Sequence, residues 1–341
     1  MRSKGKIYKK RWYEKRALKI KNKWYSKKKR YCEKIYLEKD EVVNSAHEYV
    51  SDIPEIFSFQ KNPEETIAFL NRLIRRIEKK ILKQKFFINA YKVKEVTTDA
   101  LIYIIAVIYN MKANRALQYS FRGNLPLAQK PKSVFERSGY LNFFKTKRLV
   151  MPECAEYVQI KSGQNVDTGI ASEICDFVNR KLETESKFTK ILYSTLIELM
   201  SNTAKHAYNE HNKMVGCWYI YAVCEESKVS VSFIDTGEGI PKTVKKKITE
   251  KINWKITDAE LINAAFTEEG RSETGLSYRG RGLPYIYRNV RENKLNDFYV
   301  ISGSGFCKYN PEKLSIEKKT YLEPIFGTIF QFSICKEEDK K

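Results

Sequence analysis

The run Val229-Ser-Val-Ser-Phe-Ile-Asp-Thr-Gly-Glu-Gly239 is the basis of the fold prediction. Apolar and polar residues alternate in the first part of this run, which is typical of a strand with one buried face. The strand leads directly into Asp235, where a carboxylate can accept a hydrogen bond from an exocyclic amine such as that of adenine. The two glycines allow the backbone to approach a ligand closely. An ordinary Asp-x-Gly turn has the same sequence, so this run does not define a site by itself.

A second motif, Glu198-Leu-Met-Ser-Asn202, lies upstream in the segment from Lys190 to Tyr208, where apolar residues recur at helical spacing. Glu198 and Asn202 are four residues apart and therefore share one helix face. The amide oxygen of Asn202 suits Mg²⁺, which keeps most of its waters and takes one or two protein ligands beside phosphate oxygens. Glu198 is placed to polarise a water that attacks a terminal phosphate. The alternative interpretation is a solvated helix face.

Two further motifs complete the set. Gly280-Arg-Gly-Leu-Pro284 precedes a predicted helix, and proline is favoured in a first helical turn. Free N–H groups at a helix start after glycines form a phosphate site, to which Arg281 adds charge. Gly327-Thr328 opens the last apolar strand, where the hydroxyl is expected to reach the base side of the pocket. A glycine linker with a helix cap explains the third motif equally well in isolation. Together, in this order, the four motifs predict one ATP-binding pocket.

With these motifs, residues of about 165–335 resemble the GHKL ATPase fold, which is shared by DNA gyrase B, the heat-shock chaperone ATPases, mismatch-repair ATPases and histidine kinases. The resemblance implies an α/β fold, specifically a two-layer α/β sandwich of the Bergerat ATP-binding type over residues 156–336. It implies that Asn202 holds Mg²⁺ with the phosphates of ATP, that Asp235 holds adenine, and that Glu198 is the general base if ATP is hydrolysed. It assigns the other nucleotide contacts to His206, Gly237, Gly239, Ile240, Gly280, Arg281, Gly282, Leu283 and Thr328.

The chain also departs from the family pattern. Pro284 stands where many members have another glycine, and about forty residues separate Gly239 from Gly280, which predicts a long lid. The continuation Lys205-His206-Ala207-Tyr208 is most similar to the anti-sigma-factor and sensor-kinase branches. Histidine kinases keep a similar glutamate while transferring phosphate, so Glu198 leaves both hydrolysis and transfer open.

The first half of the chain is predicted to hold a basic arm (1–40), a helical segment (41–82) and a small α/β domain (83–150), and residues 337–341 form a charged tail. The strand-helix-strand-helix order predicts the small α/β domain. Ala100 to Tyr109 is too short an apolar run to span a bilayer and is predicted to be a buried helix. The small domain resembles the STAS-like fold of anti-sigma-factor antagonists at Thr98-Asp99-Ala100, Gly123-Asn124-Leu125-Pro126 and Ser138-Gly139-Tyr140.

The net charge of +22 over 341 residues is concentrated at the amino terminus. Residues 1–30 carry fifteen Lys and Arg against one acid, Glu14. Basic groups neutralise phosphates and aromatic rings stack on bases, so this arm is a candidate nucleic-acid contact. A solvated tail, a membrane-surface arm and a partner-binding arm are the alternatives. The interleaved aromatic residues are Tyr8, Trp12, Tyr13, Trp24, Tyr25 and Tyr31.

Seven scattered cysteines without a Cys-x-x-Cys pair argue against zinc and disulfides and favour a reduced, cytoplasmic protein. No apolar run approaches eighteen residues, so no membrane span is expected. The first function hypothesis is a regulatory ATPase in bacterial signalling or defence, in which Mg·ATP orders the lid and a protein partner reads the change. The second is an anti-sigma-type serine kinase acting on a partner. An ATP-gated nucleic-acid-binding protein and a non-catalytic nucleotide sensor are the third and fourth. Dimerisation around ATP is expected from the resemblance.

Overall fold

The structure is a computed structural model of the chain. It describes residues 42–43, 48–78, 83–113, 119–144, 156–183, 186–206, 216–247, 256–267 and 282–336. Several predictions fall outside these residues: the basic arm, half of the predicted lid, Gly280, Arg281, the charged tail and the side chain of His206.

The described chain is mixed α/β. The helices are α1 (Pro63–Glu78), α2 (Thr98–Ala113), α3 (Gln129–Arg137), α4 (Thr168–Leu182), α5 (Ser186–His206), α6 (Ile240–Lys247), α7 (Asp258–Phe266) and α8 (Gly282–Arg291), with a 3-10 helix at Tyr140–Phe143. The strands are β1 (Val42–Val43), β2 (Tyr49–Asp52), β3 (Ile56–Phe57), β4 (Lys85–Asn89), β5 (Glu95–Val96), β6 (Ser120–Gly123), β7 (Tyr157–Gly163), β8 (Trp218–Glu225), β9 (Lys228–Asp235), β10 (Asn296–Asn310) and β11 (Ser315–Cys335).

A five-stranded sheet carries the predicted motifs. Its strand order is β10-β11-β9-β8-β7, and neighbouring strands are antiparallel. The central strand is β9, which forms where the alternating sequence predicts it. At its end, Asp235 pairs with Thr328 on one side and with Trp218 on the other. The second and fourth motifs are therefore neighbours across a strand pair.

Both faces of this sheet are buried, but by different parts of the chain. Side chains alternate across a strand, so Phe233 and Ile234 belong to separate apolar clusters. The face that carries Phe233 packs against α4 and α5, and we call it the front face. The face that carries Ile234 packs against α1 and α2, and we call it the rear face.

A four-stranded sheet with the order β1-β2-β4-β6 forms the amino-terminal half. Strands β2, β4 and β6 are parallel, and α1 and α2 connect them. Every residue of α2 from Ala100 to Ile108 is almost fully buried, which confirms the buried helix predicted from its apolar sequence. The core of this half and the rear face form one continuous apolar cluster.

Some elements differ from the prediction. The segment 41–82, predicted to be helical, contains α1 but also β1, β2 and β3. Strand β2 pairs with β4, so the division at residue 83 separates two strands that are neighbours in one sheet. Local periodicity did not indicate these strands because they are short and depend on distant partners. The sequence also predicts a helix from Lys132 to Phe144 with a break near Gly139. The break is confirmed, since Gly139, with a φ of 72°, separates α3 from the 3-10 helix.

Helix α8 begins two residues before its predicted start at Pro284. The hairpin of β10 and β11 extends beyond the strands predicted from Asp297 to Ser302 and from Thr328 to Cys335, since its register runs from Asn296 to Asn310. Among the residues that the structure describes, no helix combines the length and apolar character needed to cross a membrane.

Candidate functional site

A cleft lies on the front face at the end of β9, and its space of about 550 Å³ includes the part that is open to solvent. All four predicted motifs contribute to its walls, although they lie far apart in sequence. Apolar side chains form much of the surface, and a few carboxyl, amide and hydroxyl groups point into it, which is the usual composition of a small-molecule site. The lining residues are Leu199, Asn202, Thr203, Asp235, Gly237, Glu238, Gly239, Ile240, Thr243, Val244, Ala265, Leu283, Thr328 and Phe330.

Asp235 is a half-buried carboxylate that lines the cleft. One of its oxygens, Oδ1, accepts a hydrogen bond of 2.8 Å from the Gly237 amide. Burial raises the pKa of Asp235 to about 6, although hydrogen bonds from the Gly237 amide and the Thr328 hydroxyl act in the opposite direction. At neutral pH the group is therefore an ionised acceptor held in place by the turn that follows it.

Ser302 links the second and fourth motifs beneath this turn. Its hydroxyl accepts a hydrogen bond of 2.9 Å from the Ile240 amide and donates one of 2.9 Å to the Gly327 carbonyl. It also lies 3.1 Å from the Thr328 hydroxyl. Sequence reasoning missed Ser302 because it follows an apolar run without a motif of its own. Its only signal was a polar residue at the end of a predicted strand.

Gly327 allows Thr328 to reach Asp235. Its φ is 70°, and a Cβ atom at this position would lie 1.9 Å from the Asp235 carbonyl oxygen. A side chain here would therefore force the two strands apart at the site. The glycine of the fourth motif is thus explained by the close approach of the backbone of β11 to that of β9.

Glu198 and Asn202 lie on α5, and both side chains are half-buried. Asn202 faces the cleft. Glu198 lies against the first residue of α8, because a Cβ atom on Gly282 would come within 1.7 Å of Glu198 Oε1. The first and third motifs are therefore in contact, and the Glu198 carboxylate lies at a helix start, where the N-terminal partial charge favours an anion.

The structure thus brings most of the predicted site residues together. Asn202, Asp235, Gly237, Gly239, Ile240, Leu283 and Thr328 line the cleft, and Glu198 and Gly282 contact each other at its side. The apolar lining residues Val244, Ala265 and Phe330 were not predicted as site residues. They could have been found only through the pairing and packing of α6, α7 and β11.

Few of the described side chains at this cleft could act as metal ligands. Among the described side chains, no three or more His, Cys, Asp or Glu residues gather as a metal site. A divalent ion here would be held by the amide oxygen of Asn202 together with ligand oxygens, which fits the preference of Mg²⁺ for phosphates and water.

Comparison with known protein families finds no family model that matches this chain, and no curated protein matches its sequence. A function must therefore be argued from the geometry of the cleft and from the motifs that line it.

Proposed function

We propose that this protein is an ATP-binding regulatory protein of the GHKL type, which binds Mg·ATP in the front-face cleft. The observation that carries the proposal is that four motifs from distant parts of the sequence line one cleft. The antiparallel sheet with α4, α5, α7 and α8 on its front face supports a Bergerat-type sandwich over residues 156–336. Three parallel strands connected by α1 and α2 support a STAS-like amino-terminal half.

The chemistry of the walls gives the proposed orientation of the nucleotide. Asp235 accepts the exocyclic amine of adenine, and Thr328 lies beside it. Leu199, Ile240 and Phe330 supply apolar surface to the base. Asn202 holds Mg²⁺ with the phosphates, which extend towards the start of α8. There, the N-terminal partial charge of the helix favours negative charge.

The proposed reaction is slow hydrolysis that drives a switch in the lid and in a protein partner. Glu198 lies one helical turn before Asn202 and beside Gly282, where the proposed orientation puts the phosphates. From there it is placed to orient and polarise an attacking water.

We also propose a cytoplasmic location and a role in bacterial signalling or defence. Every cysteine that the structure describes is a free thiol, which supports a reducing compartment.

The test is calorimetric titration of Mg·ATP into the wild-type chain, Asn202→Ala and the control variant Asn179→Ala. Asn179 is exposed on α4 and does not line the cleft. We expect the wild type and the control to bind alike, and Asn202→Ala to lose binding because the metal has lost its protein ligand. Unchanged binding in Asn202→Ala would contradict the Mg²⁺ assignment. If the wild type does not bind Mg·ATP, the proposed function is wrong.

Further assays separate hydrolysis from the alternatives. Phosphate release without an acceptor supports the regulatory ATPase, whereas phosphate transfer to a serine of a partner supports a kinase. Retention of DNA or RNA that depends on ATP and decreases with salt supports the nucleic-acid hypothesis.

A further inference from the structure

Helix α2 runs behind the cleft, on the opposite side of the five-stranded sheet. Tyr103 and Asn110 lie two helical turns apart on one side of α2. Both are buried, with 1% and 6% of their surface exposed. Neither belongs to a motif, yet each forms hydrogen bonds with a segment that carries a cleft residue on the front face.

Tyr103 holds the segment before Gly327. Its hydroxyl accepts a hydrogen bond of 2.9 Å from the Phe326 amide and donates one of 3.0 Å to the Phe326 carbonyl. Both backbone polar groups of Phe326 are therefore bonded to one side chain of α2. Thr328 follows two residues later, so its position depends on a backbone that Tyr103 fixes from the rear.

Asn110 holds the segment after Asp235. Its Nδ2 group lies 3.2 Å from the Thr236 hydroxyl and 3.3 Å from the Tyr219 hydroxyl. The Thr236 hydroxyl in turn accepts a hydrogen bond of 3.0 Å from the Cys217 amide. Thr236 follows the last residue of β9, and its contact with Asn110 places its side chain at the rear, whereas Asp235 lines the cleft on the front. Asn110 thus contacts the residue directly behind the carboxylate.

Asn110 also has a buried polar atom that lowers the stability of the fold, and packing alone does not explain why it is there. Its Oδ1 is buried and makes no hydrogen bond within the part of the chain that the structure describes. A buried acceptor without a donor is unfavourable. An apolar side chain would avoid that cost, but it would lose the hydrogen bond to Thr236.

We propose that Tyr103 and Asn110 are positioning residues for adenine recognition. They hold, from the rear face, the two segments that place Asp235 and Thr328 beside the base. This inference rests on the proposed function and deepens it, because it makes base selectivity depend on a helix of the amino-terminal half. A merely structural role would lower stability and weaken all nucleotides alike, whereas a positioning role weakens recognition of the exocyclic amine.

The test compares Mg·ATP with the Mg complex of purine riboside triphosphate, which lacks the exocyclic amine. Affinities are measured for the full-length wild type, Tyr103→Phe and Asn110→Ala. We expect each variant to bind ATP about three- to tenfold more weakly, the range of one net hydrogen bond. Affinity for the analogue should change by less than about twofold, since no amine is available for Asp235 to bind.

Tyr321→Phe is the matched control for Tyr103→Phe. Tyr321 is also a buried tyrosine of the same interface, and its hydroxyl donates a hydrogen bond of 3.0 Å to the Phe59 carbonyl. Removal of this hydroxyl should lower the melting temperature without changing the ratio of the affinities for ATP and the analogue. A double-mutant cycle of Asn110→Ala with Thr236→Val should be non-additive in ATP affinity, because the two side chains act through one hydrogen bond.

The outcomes are distinct. Selective loss of ATP affinity in Tyr103→Phe and Asn110→Ala supports the inference. Equal loss for ATP and the analogue, or no loss for either, overturns it and leaves the proposed function standing. A wild type that binds neither nucleotide refutes the proposed function, and the inference with it. Tyr103→Phe keeps the ring and its packing, so its affinities for ATP and the analogue still test the inference if Asn110→Ala does not fold.

Discussion

The front and rear faces of the five-stranded sheet both bury polar side chains, but they use them differently. On the front, Asp235 lies at an open cleft, and burial raises its pKa to about 6. On the rear, Asp99 is 1% exposed, and its Oδ2 accepts a hydrogen bond of 2.7 Å from the Tyr299 hydroxyl. Burial raises the pKa of Asp99 as well. Both carboxyl groups accept hydrogen bonds from within the protein. Asp99 is enclosed at an interface between elements, whereas Asp235 borders open space that a ligand can enter.

The largest effect on nucleotide binding should come from Gly327→Ala. The new Cβ atom would overlap the Asp235 carbonyl oxygen, so β9 and β11 must separate at the cleft. The alanine would also have to keep a positive φ, which is unfavourable for a residue with a side chain. We expect ATP binding to be lost and the free energy of unfolding to fall by about 2–4 kcal/mol. Calorimetry and urea unfolding measure the two effects.

Gly139→Ala is the control, because Gly139 has a similar φ of 72° but its added Cβ atom would meet nothing closer than 3.4 Å. This variant carries the conformational cost without the overlap, and should lose about 1 kcal/mol with ATP affinity unchanged. Equal effects of the two substitutions would show that the close approach at the cleft is unimportant.

Asp235→Asn should have an intermediate effect, because a neutral amide is a weaker acceptor for the adenine amine. We expect ATP affinity to fall by about tenfold near neutral pH. In the wild type, the advantage over Asp235→Asn should shrink as pH falls through about 6, where the carboxylate becomes protonated. The ratio of the two affinities, measured by calorimetry across this range, cancels titration of the nucleotide phosphates. A ratio that does not vary with pH would contradict the role of the carboxylate.

The same variant should be more stable than the wild type when no nucleotide is bound. The folded-state pKa of Asp235 lies above its ordinary value of 3.8, so the native state favours the protonated form. Its contribution to stability is complete below about pH 4 and is lost as pH rises through about 6. Asp235→Asn should therefore raise the melting temperature near pH 8, and the difference should close near pH 4.

Tyr299→Phe should leave nucleotide binding nearly unchanged. It removes the hydroxyl that donates to Asp99 on the rear face and leaves a buried carboxyl with one fewer hydrogen bond. We expect a loss of about 1–3 kcal/mol in the free energy of unfolding, with ATP affinity within about twofold of the wild type. A loss of ATP affinity as large as that of Asp235→Asn would contradict the proposal that this rear-face hydrogen bond contributes to stability and not to nucleotide binding.

Local signals predicted much of the fold. Helix α5 covers most of the segment from Lys190 to Tyr208, in which apolar residues recur at helical spacing, and Pro284 lies in the first turn of α8. Both signals are local in sequence. The alternation of β9 was equally local, because it reflects one buried face along a single strand.

The remaining features depend on contacts between distant segments. Strand β2 is four residues long and is stabilised by pairing with β4. The apolar sequence of α2 predicted burial but not its partner, which is the rear face of the second sheet. Ser302, Tyr103 and Asn110 belong to no motif, and their relation to the cleft appears only when β10, β11 and α2 are assembled.

The apolar cluster shared by the two sheets determines where this chain can be divided. A fragment containing residues 156–336 would expose the aromatic and aliphatic side chains of the rear face to water, and an exposed apolar surface of this kind promotes aggregation. The residues uncovered would include Tyr219, Tyr221, Ile234, Tyr299, Ile301 and Ile329. The two halves are thus expected to unfold in one cooperative transition, and the nucleotide cleft belongs to a folding unit larger than the segment that carries its motifs.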